Sequence, residues 1–124
     1  MPDRSALPES DPLLALRDAL RTFADERDWG AFHSPKNLAM ALSVEAGELL
    51  EHFQWLDGAQ SASLSPEAAD AVRLEMADVL LYLIRLADRL DVDLAQAARD
   101  KMVINARRYP VDKARGNSRK HDRL

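Results

Sequence analysis

Ser34 to Leu56 reads SPKNLAMALSVEAGELLEHFQWL, and Ser65 to Leu90 reads SPEAADAVRLEMADVLLYLIRLADRL. Both stretches open on serine followed by proline. A serine side chain can cap the free N–H groups of a first helical turn, and proline suits the first helical position because its missing N–H would go unbonded there anyway. Apolar residues then recur at spacings of three and four, the period of a helix with one face turned inward. The pattern predicts one helix from Ser34-Pro35 to about Leu56, stopped by Asp57-Gly58, and another from Ser65-Pro66 to about Leu90. A loop rich in Ser, Ala and Gly, Gly58 to Leu64, is expected between them.

The flanking sequence extends the same pattern. Asp11 caps and Pro12 opens a first helix in which Leu13, Leu16, Leu20 and Phe23 recur at helical spacing, ending near Asp28. A last helix is expected from Asp93, with Gln96 three residues on as a capping box, to Tyr109, because Pro110 cannot continue it. No segment alternates with the period of a strand between hairpin turns, and short connections favour antiparallel neighbours. The expected fold is all-α, a four-helix bundle. Residues 1–10 read as a flexible N-terminus, 11–110 as one domain and 111–124 as a polar, basic tail, with Lys113, Arg115, Arg119, Lys120 and Arg123 against Asp112 and Asp122. The simplest reading of that tail is disorder, with phosphate or subunit contact as the alternative.

The chain has 124 residues, enough for one domain and little more. Its net charge of -4 argues against wrapping polymeric nucleic acid, so an anionic substrate would need local cations or a metal. Without cysteine there is no disulfide, thiolate metal site or cysteine nucleophile, which fits a reducing, cytoplasmic setting. MPDRSALPESDP has no apolar core of the signal-peptide kind, and the run Val79 to Ile84 is far short of the ~20 residues a membrane helix needs.

Four carboxylates stand where apolar residues belong. At about 100° per residue, Leu38, Leu42, Glu45, Leu49 and Leu56 share one stripe, and Glu48 lies one turn on at its edge. Val72, Glu75, Val79, Tyr82 and Leu86 share another, flanked by Asp78. Burying unpaired carboxylates side by side is costly, so something must neutralise them. Residues at i and i+3 lie on one side of a helix, and two such pairs on packed helices can converge on one cavity. Oxygen donors without His or Cys point to Mg²⁺, Mn²⁺ or Ca²⁺ rather than Zn²⁺, and Mg²⁺ shares its shell with substrate phosphates. Buried salt bridges to Arg or Lys are the structural alternative. A di-iron carboxylate bundle is disfavoured, since the Glu-x-x-His motifs of that class are absent and only His33, His52 and His121 occur.

On the last helix Lys101, Asn105 and Arg108 are spaced by four and three, so they line one face suited to phosphate, or else form a solvated helix end favourable to cations. Trp29 with Phe32 and His33, and Phe53 with Trp55, form two aromatic groups. Rings of this kind stack well on nucleobases, although core packing or an oligomer interface would use them too.

These residues resemble those of the MazG-like all-α NTP pyrophosphatases, and within them the dCTP pyrophosphatase branch. The hallmark is E-x-x-E followed across a loop by E-x-x-D, here Glu45, Glu48, Glu75 and Asp78. The strings ERDW at Glu26–Trp29, FH at Phe32–His33, PKNL at Pro35–Leu38, EAGEL at Glu45–Leu49, FQW at Phe53–Trp55, DVLLY at Asp78–Tyr82 and NARRYP at Asn105–Pro110 are similar to that branch as well. The resemblance covers about residues 13 to 120. It implies that the four acids are catalytic and hold Mg²⁺, with Mn²⁺ as the alternative. It also implies that Trp29, His33 and Trp55 help form a base pocket, and that Tyr82, Lys101, Asn105 and Arg108 contact the triphosphate or sugar. The expected reaction is hydrolysis of a (deoxy)nucleoside triphosphate, dCTP or a modified dCTP, to monophosphate and pyrophosphate, a house-cleaning of the nucleotide pool. The expected assembly is a homo-oligomer, dimer or tetramer, with sites completed between subunits. Two rivals remain at this point: a non-catalytic helical module that senses a nucleotide or metal, and a related pyrophosphohydrolase acting on another nucleotide, such as dUTP or phosphoribosyl-ATP.

Overall fold

The computed structural model describes residues 11–124; the expected flexible N-terminus, residues 1–10, lies outside the described residues. Every regular element among the described residues is helical. The chain runs through α1 (Pro12–Glu26), a 3-10 turn (Gly30–Phe32), α2 (Pro35–Glu51), the short α3 (Gly58–Ser61), the long α4 (Pro66–Arg89), α5 (Leu94–Arg108), the short α6 (Val111–Ala114) and a final 3-10 turn (His121–Arg123). The all-α class and the four long helices agree with the sequence pattern.

Each long helix starts at its expected cap. The Asp11 carboxylate accepts from the Leu13 N–H at 2.9 Å. Ser34 Oγ accepts from the Asn37 N–H and Ser65 Oγ from the Ala68 N–H, each at 3.2 Å. Asp93 accepts from the Gln96 N–H at 3.0 Å, but the reciprocal half of the expected capping box is not made there. The Gln96 amide instead donates forward to Asp100 at 2.8 Å. The full box forms at Asp57 and Gln60, in a stretch expected to be loop.

Helix ends depart from expectation more than starts do. α2 stops at Glu51, short of Leu56. Beyond it Phe53 N–H bonds to the Leu50 carbonyl and Leu56 N–H to the Phe53 carbonyl, so the chain tightens to three-residue turns before Asp57 caps α3. α1 and α4 share another ending. Asp28 (φ 54) and Asp91 (φ 56) adopt the left-handed conformation just past the C-cap. Trp29 N–H then reaches back to the Ala24 carbonyl at 3.0 Å, and Val92 N–H to the Ala87 carbonyl at 2.8 Å. This is the Schellman arrangement, which reuses carbonyls the helix leaves free. The residues after Pro110, read most simply as disordered, hold α6 and the last 3-10 turn, and the His121 ring meets the Tyr109 ring edge-on at 5.9 Å. Pro110 favours this by capping α6 with its extended conformation (φ -62, ψ 144).

One compact unit closes at Val92 and a second spans Asp93–Leu124. In the first, α2 packs along α4 and α1 packs on α4. Its core is Ala24, Leu38, Val72, Ile84 and Ala87, with Leu38 only 1% exposed. Removing such a side chain from water is worth roughly 1.5–3 kcal/mol for a leucine. No helix among the described residues is long and apolar enough to cross a membrane.

Candidate active site

The packing of α2 along α4 brings the two acid pairs face to face. Carboxylate oxygens of Glu45, Glu48 and Glu75 lie within 4.8 Å of one another. Glu45 and Glu75 are half-buried, as their places on apolar stripes require, and Glu48 is exposed. Glu45 Oε2 and Glu75 Oε2 are buried and have no hydrogen-bond partner. No ion pair among the described residues involves any of the three. The facing carboxylate of Glu75, with which a proton can be shared, holds Glu45 above the usual carboxylate range. Burial adds to this, Glu48 acts against it, and the charges of Glu75 and Asp78 push further upward.

Orphaned oxygens in an acid cluster fit a hard divalent cation. Its charge would cancel the mutual repulsion, and the donor set is oxygen only. The fourth acid, Asp78, stands outside the 4.8 Å set. It lies one turn beyond Glu75 on α4, in the wall of a neighbouring cavity.

That cavity has a volume of about 430 Å³. α1 supplies an apolar wall from Leu16, Leu20 and Phe23, and α4 supplies Asp78, Leu81, Tyr82 and Arg85. Trp29 and His33 complete it. The Schellman turn at Asp28 aims Trp29 back at Phe23, and the two rings meet edge-on with centroids 5.6 Å apart. The His33 ring meets Trp29 edge-on at 5.9 Å. Four of the residues singled out from sequence, Trp29, His33, Asp78 and Tyr82, are thus gathered in one concavity. Its size and its mix of rings with few polar groups suit a small organic ligand.

Trp55 is placed elsewhere: it is 85% exposed in the turn after α2 and does not line the cavity. Lys101, Asn105 and Arg108 are exposed along α5, in the second unit. Sequence reasoning missed Arg85. It is only 6% exposed, inside the apolar run of α4. Its Nε–H donates to His33 Nδ1 at 3.1 Å and its Nη1 to Asp88 Oδ2 at 3.2 Å. Asp88 in turn accepts from Arg21 on α1 through both carboxylate oxygens. The signal was present: Asp78, Tyr82 and Arg85 are spaced by four and three, so an arginine shares the inward face with two site residues.

Comparison with known proteins finds relatives in sequence and in fold. A model of the MazG-like family matches residues 40–124. Human dCTP pyrophosphatase 1 is 46% identical over 125 residues, covering 99% of this chain and 74% of the human one. The Bos taurus protein of the same name is 45% identical over 118 residues, covering 93% of this chain and 70% of its own. Among solved structures, a pyrophosphatase from Archaeoglobus fulgidus DSM 4304 superposes with a TM-score of 0.69 at 41% identity, over 77% of this chain and 90% of that one. The segment matched by the family model contains all four acids and most of the chain, and on these grounds the chain belongs to the MazG-like family.

Proposed function

We propose that this protein is a nucleoside triphosphate pyrophosphohydrolase that cleaves dCTP, or a modified dCTP, to the monophosphate and pyrophosphate. The observation that carries the reading is the trio Glu45, Glu48 and Glu75, with two buried, unpartnered oxygens, in a chain so close to proteins named dCTP pyrophosphatase. Glu45, Glu48, Glu75 and Asp78 would hold Mg²⁺, with Mn²⁺ as a substitute. A divalent cation held there would supply positive charge to neutralise phosphate and to make water more acidic.

The chain's own groups do the rest. Glu48, the exposed member of the trio, accepts a proton from the attacking water. The water oxygen bonds to the α-phosphorus, the bond to the bridging oxygen breaks, and pyrophosphate leaves. Trp29, His33 and Tyr82 hold the base and sugar in the cavity, whose ring-lined, apolar wall supports this. Lys101, Asn105 and Arg108, on one face of α5, offer donors to phosphate or sugar oxygens. The proposed catalytic domain is residues 11–110, which takes in the described part of the first compact unit and α5 of the second, followed by a basic tail at 111–124.

The reading extends to assembly as a dimer or tetramer. Met40, Val44 and Leu50 on α2 and Leu74 and Met76 on α4 are more than half exposed, more apolar helix surface than a lone chain usually leaves wet. Trp55, exposed here, would serve the base pocket of another copy. A cytoplasmic setting suits a cysteine-free enzyme of the nucleotide pool.

The test is a pyrophosphate-release assay with Mg²⁺ on ribo- and deoxynucleoside triphosphates, with Glu45→Gln beside the wild type. Metal-dependent release of pyrophosphate and monophosphate, led by dCTP and lost in a folded variant, is the expected result. Turnover of diphosphates as fast as triphosphates would refute pyrophosphate as leaving group. No release from any triphosphate would leave a nucleotide- or metal-binding module.

A further inference from the structure

The cavity contains one buried cation that the hydrolytic reading does not use. Arg85 is buried on α4, and a guanidinium in that position needs acceptors. It has two: Asp88, which Arg21 holds from α1, and His33. The second is informative, because an Arg Nε–H can only donate. His33 Nδ1 must therefore be bare, and a neutral imidazole with a bare Nδ1 carries its proton on Nε2.

We propose that Arg85 is a positioning residue for base recognition, fixing His33 as a neutral Nε2–H donor so that the cavity selects a base presenting a hydrogen-bond acceptor. The inference rests on the proposed function for the identity of the ligand, and on the Arg85–His33 bond for its mechanism. The acceptor would be a carbonyl oxygen or an unprotonated ring nitrogen. Two further observations support it. Trp29 packs edge-on against the imidazole at 5.9 Å and limits its rotation. Burial, followed by the charges of Arg85 and Arg89, lowers the His33 pKa, which keeps the ring uncharged. A neutral donor reads a base without attracting phosphate, so triphosphate binding is left to other groups. Arg85 reaches the ligand through His33, and the role is therefore in affinity and selectivity rather than in the chemical step.

The experiment uses the full chain with ¹⁵N-labelled histidine. His33 ring signals, assigned by their loss in His33→Gln, are compared between the wild type, Arg85→Met and Arg85→Lys, and dCTP hydrolysis with Mg²⁺ is followed in each. In the wild type His33 should show a protonated Nε2 and a bare Nδ1. In Arg85→Met the two tautomers should mix, and KM for dCTP should rise about tenfold with kcat within about twofold. Arg85→Met combined with His33→Gln should bind no worse than His33→Gln alone. Arg85→Lys keeps the buried charge but cannot hold both acceptors in one planar fork, so it should fall between, and it serves if the methionine variant does not fold. A wild-type His33 protonated on Nδ1, or a folded Arg85 variant with unchanged tautomer and KM, would overturn the proposal. Equal losses in kcat and KM that follow a lowered melting temperature would also overturn it, by showing a structural role. If the wild type releases no pyrophosphate from dCTP, the base-reading half falls with the proposed function, and the imidazole signals still decide the link between Arg85 and His33.

Discussion

One helix, α4, carries charge in two opposite ways. Around Glu75 acid faces acid: Glu75 meets Glu45 and Glu48 of α2, and buried oxygens lack partners. Three turns further on, Arg85 and Asp88 answer each other, Arg21 closes on Asp88 from α1, and His33 takes the remaining bond. A buried charge without a partner is costly to the fold, and its natural reason is a ligand of opposite sign. A buried charge with every partner supplied holds neighbouring elements in place. The first stretch is therefore where the proposed function would put its chemistry, and the second joins α1, α4 and His33 at the adjoining cavity.

The largest effect is expected at the uncompensated end. Glu45→Gln or Glu75→Gln should lower kcat for pyrophosphate release by about a hundred- to a thousandfold, roughly the 2.7–4 kcal/mol typical of lost transition-state stabilisation by a well-placed group. The same variants should melt no lower than the wild type in chelator, since one repelling acid is gone. Mg²⁺ should raise the melting temperature of the wild type and much less that of the variants. If chelator leaves activity unchanged, the contrast drawn along α4 is wrong.

At the compensated end the order reverses. Asp88→Asn should destabilise the fold by roughly 2–3 kcal/mol, below the usual 3–5 for breaking a buried pair because Arg21 is half exposed. Denaturant unfolding would measure it. Activity should fall much less than in the Glu45 variant, provided both are assayed well below their melting points.

A smaller effect, opposite in sign at the two ends, should appear in the pH dependence of stability. Arg21, hydrogen-bonded and close by, holds the Asp88 carboxyl below its ordinary value. Its contribution is present above the unfolded value of about 3.8 and is lost as pH falls through the lower folded value. Glu45 is shifted upward. Its contribution is present below the unfolded value of about 4.5 and is lost as pH rises through the higher folded value. Melting curves in chelator should therefore lose the first dependence in Asp88→Asn and the second in Glu45→Gln. Mg²⁺ should suppress the second alone, because a bound metal requires the acids ionised.

The smallest effect concerns helix ends rather than charge. Asp28→Gly and Asp91→Gly should each raise stability by about 0.5–1 kcal/mol, since glycine occupies positive φ without strain. A Trp29 that changes its emission in Asp28→Gly would show that the turn's rigidity matters to the cavity.

What the sequence made legible followed local rules. Asp11, Ser34, Ser65 and Asp93 cap as expected, because a cap depends only on the three residues after it. Glu45 and Glu75 stood out because helical spacing alone puts them on apolar stripes. The end of α2 was misjudged because Phe53 and Leu56 keep the apolar period while the backbone tightens beneath them. Gln96 was read as half of a capping box, yet Asp100, one turn on, competes for its amide. Arg85 was overlooked because its partners, His33 and Asp88, lie on different elements and only packing joins them. The same limit applies to Trp55, whose surroundings a single chain leaves open.

The sequence contains two tryptophans, and the fold sends them to different surroundings. Trp29 stands between Phe23 and His33 at the cavity, while Trp55 faces solvent. The protein thus has two native optical channels. A water-borne quencher should fade Trp55, 85% exposed, more strongly than Trp29, 41% exposed, in the dilute chain. Assembly of copies over that surface should then protect it in a concentration-dependent way. With Trp55→Phe only the cavity channel remains, and its emission becomes a titration signal for whatever enters, needing no label and no turnover.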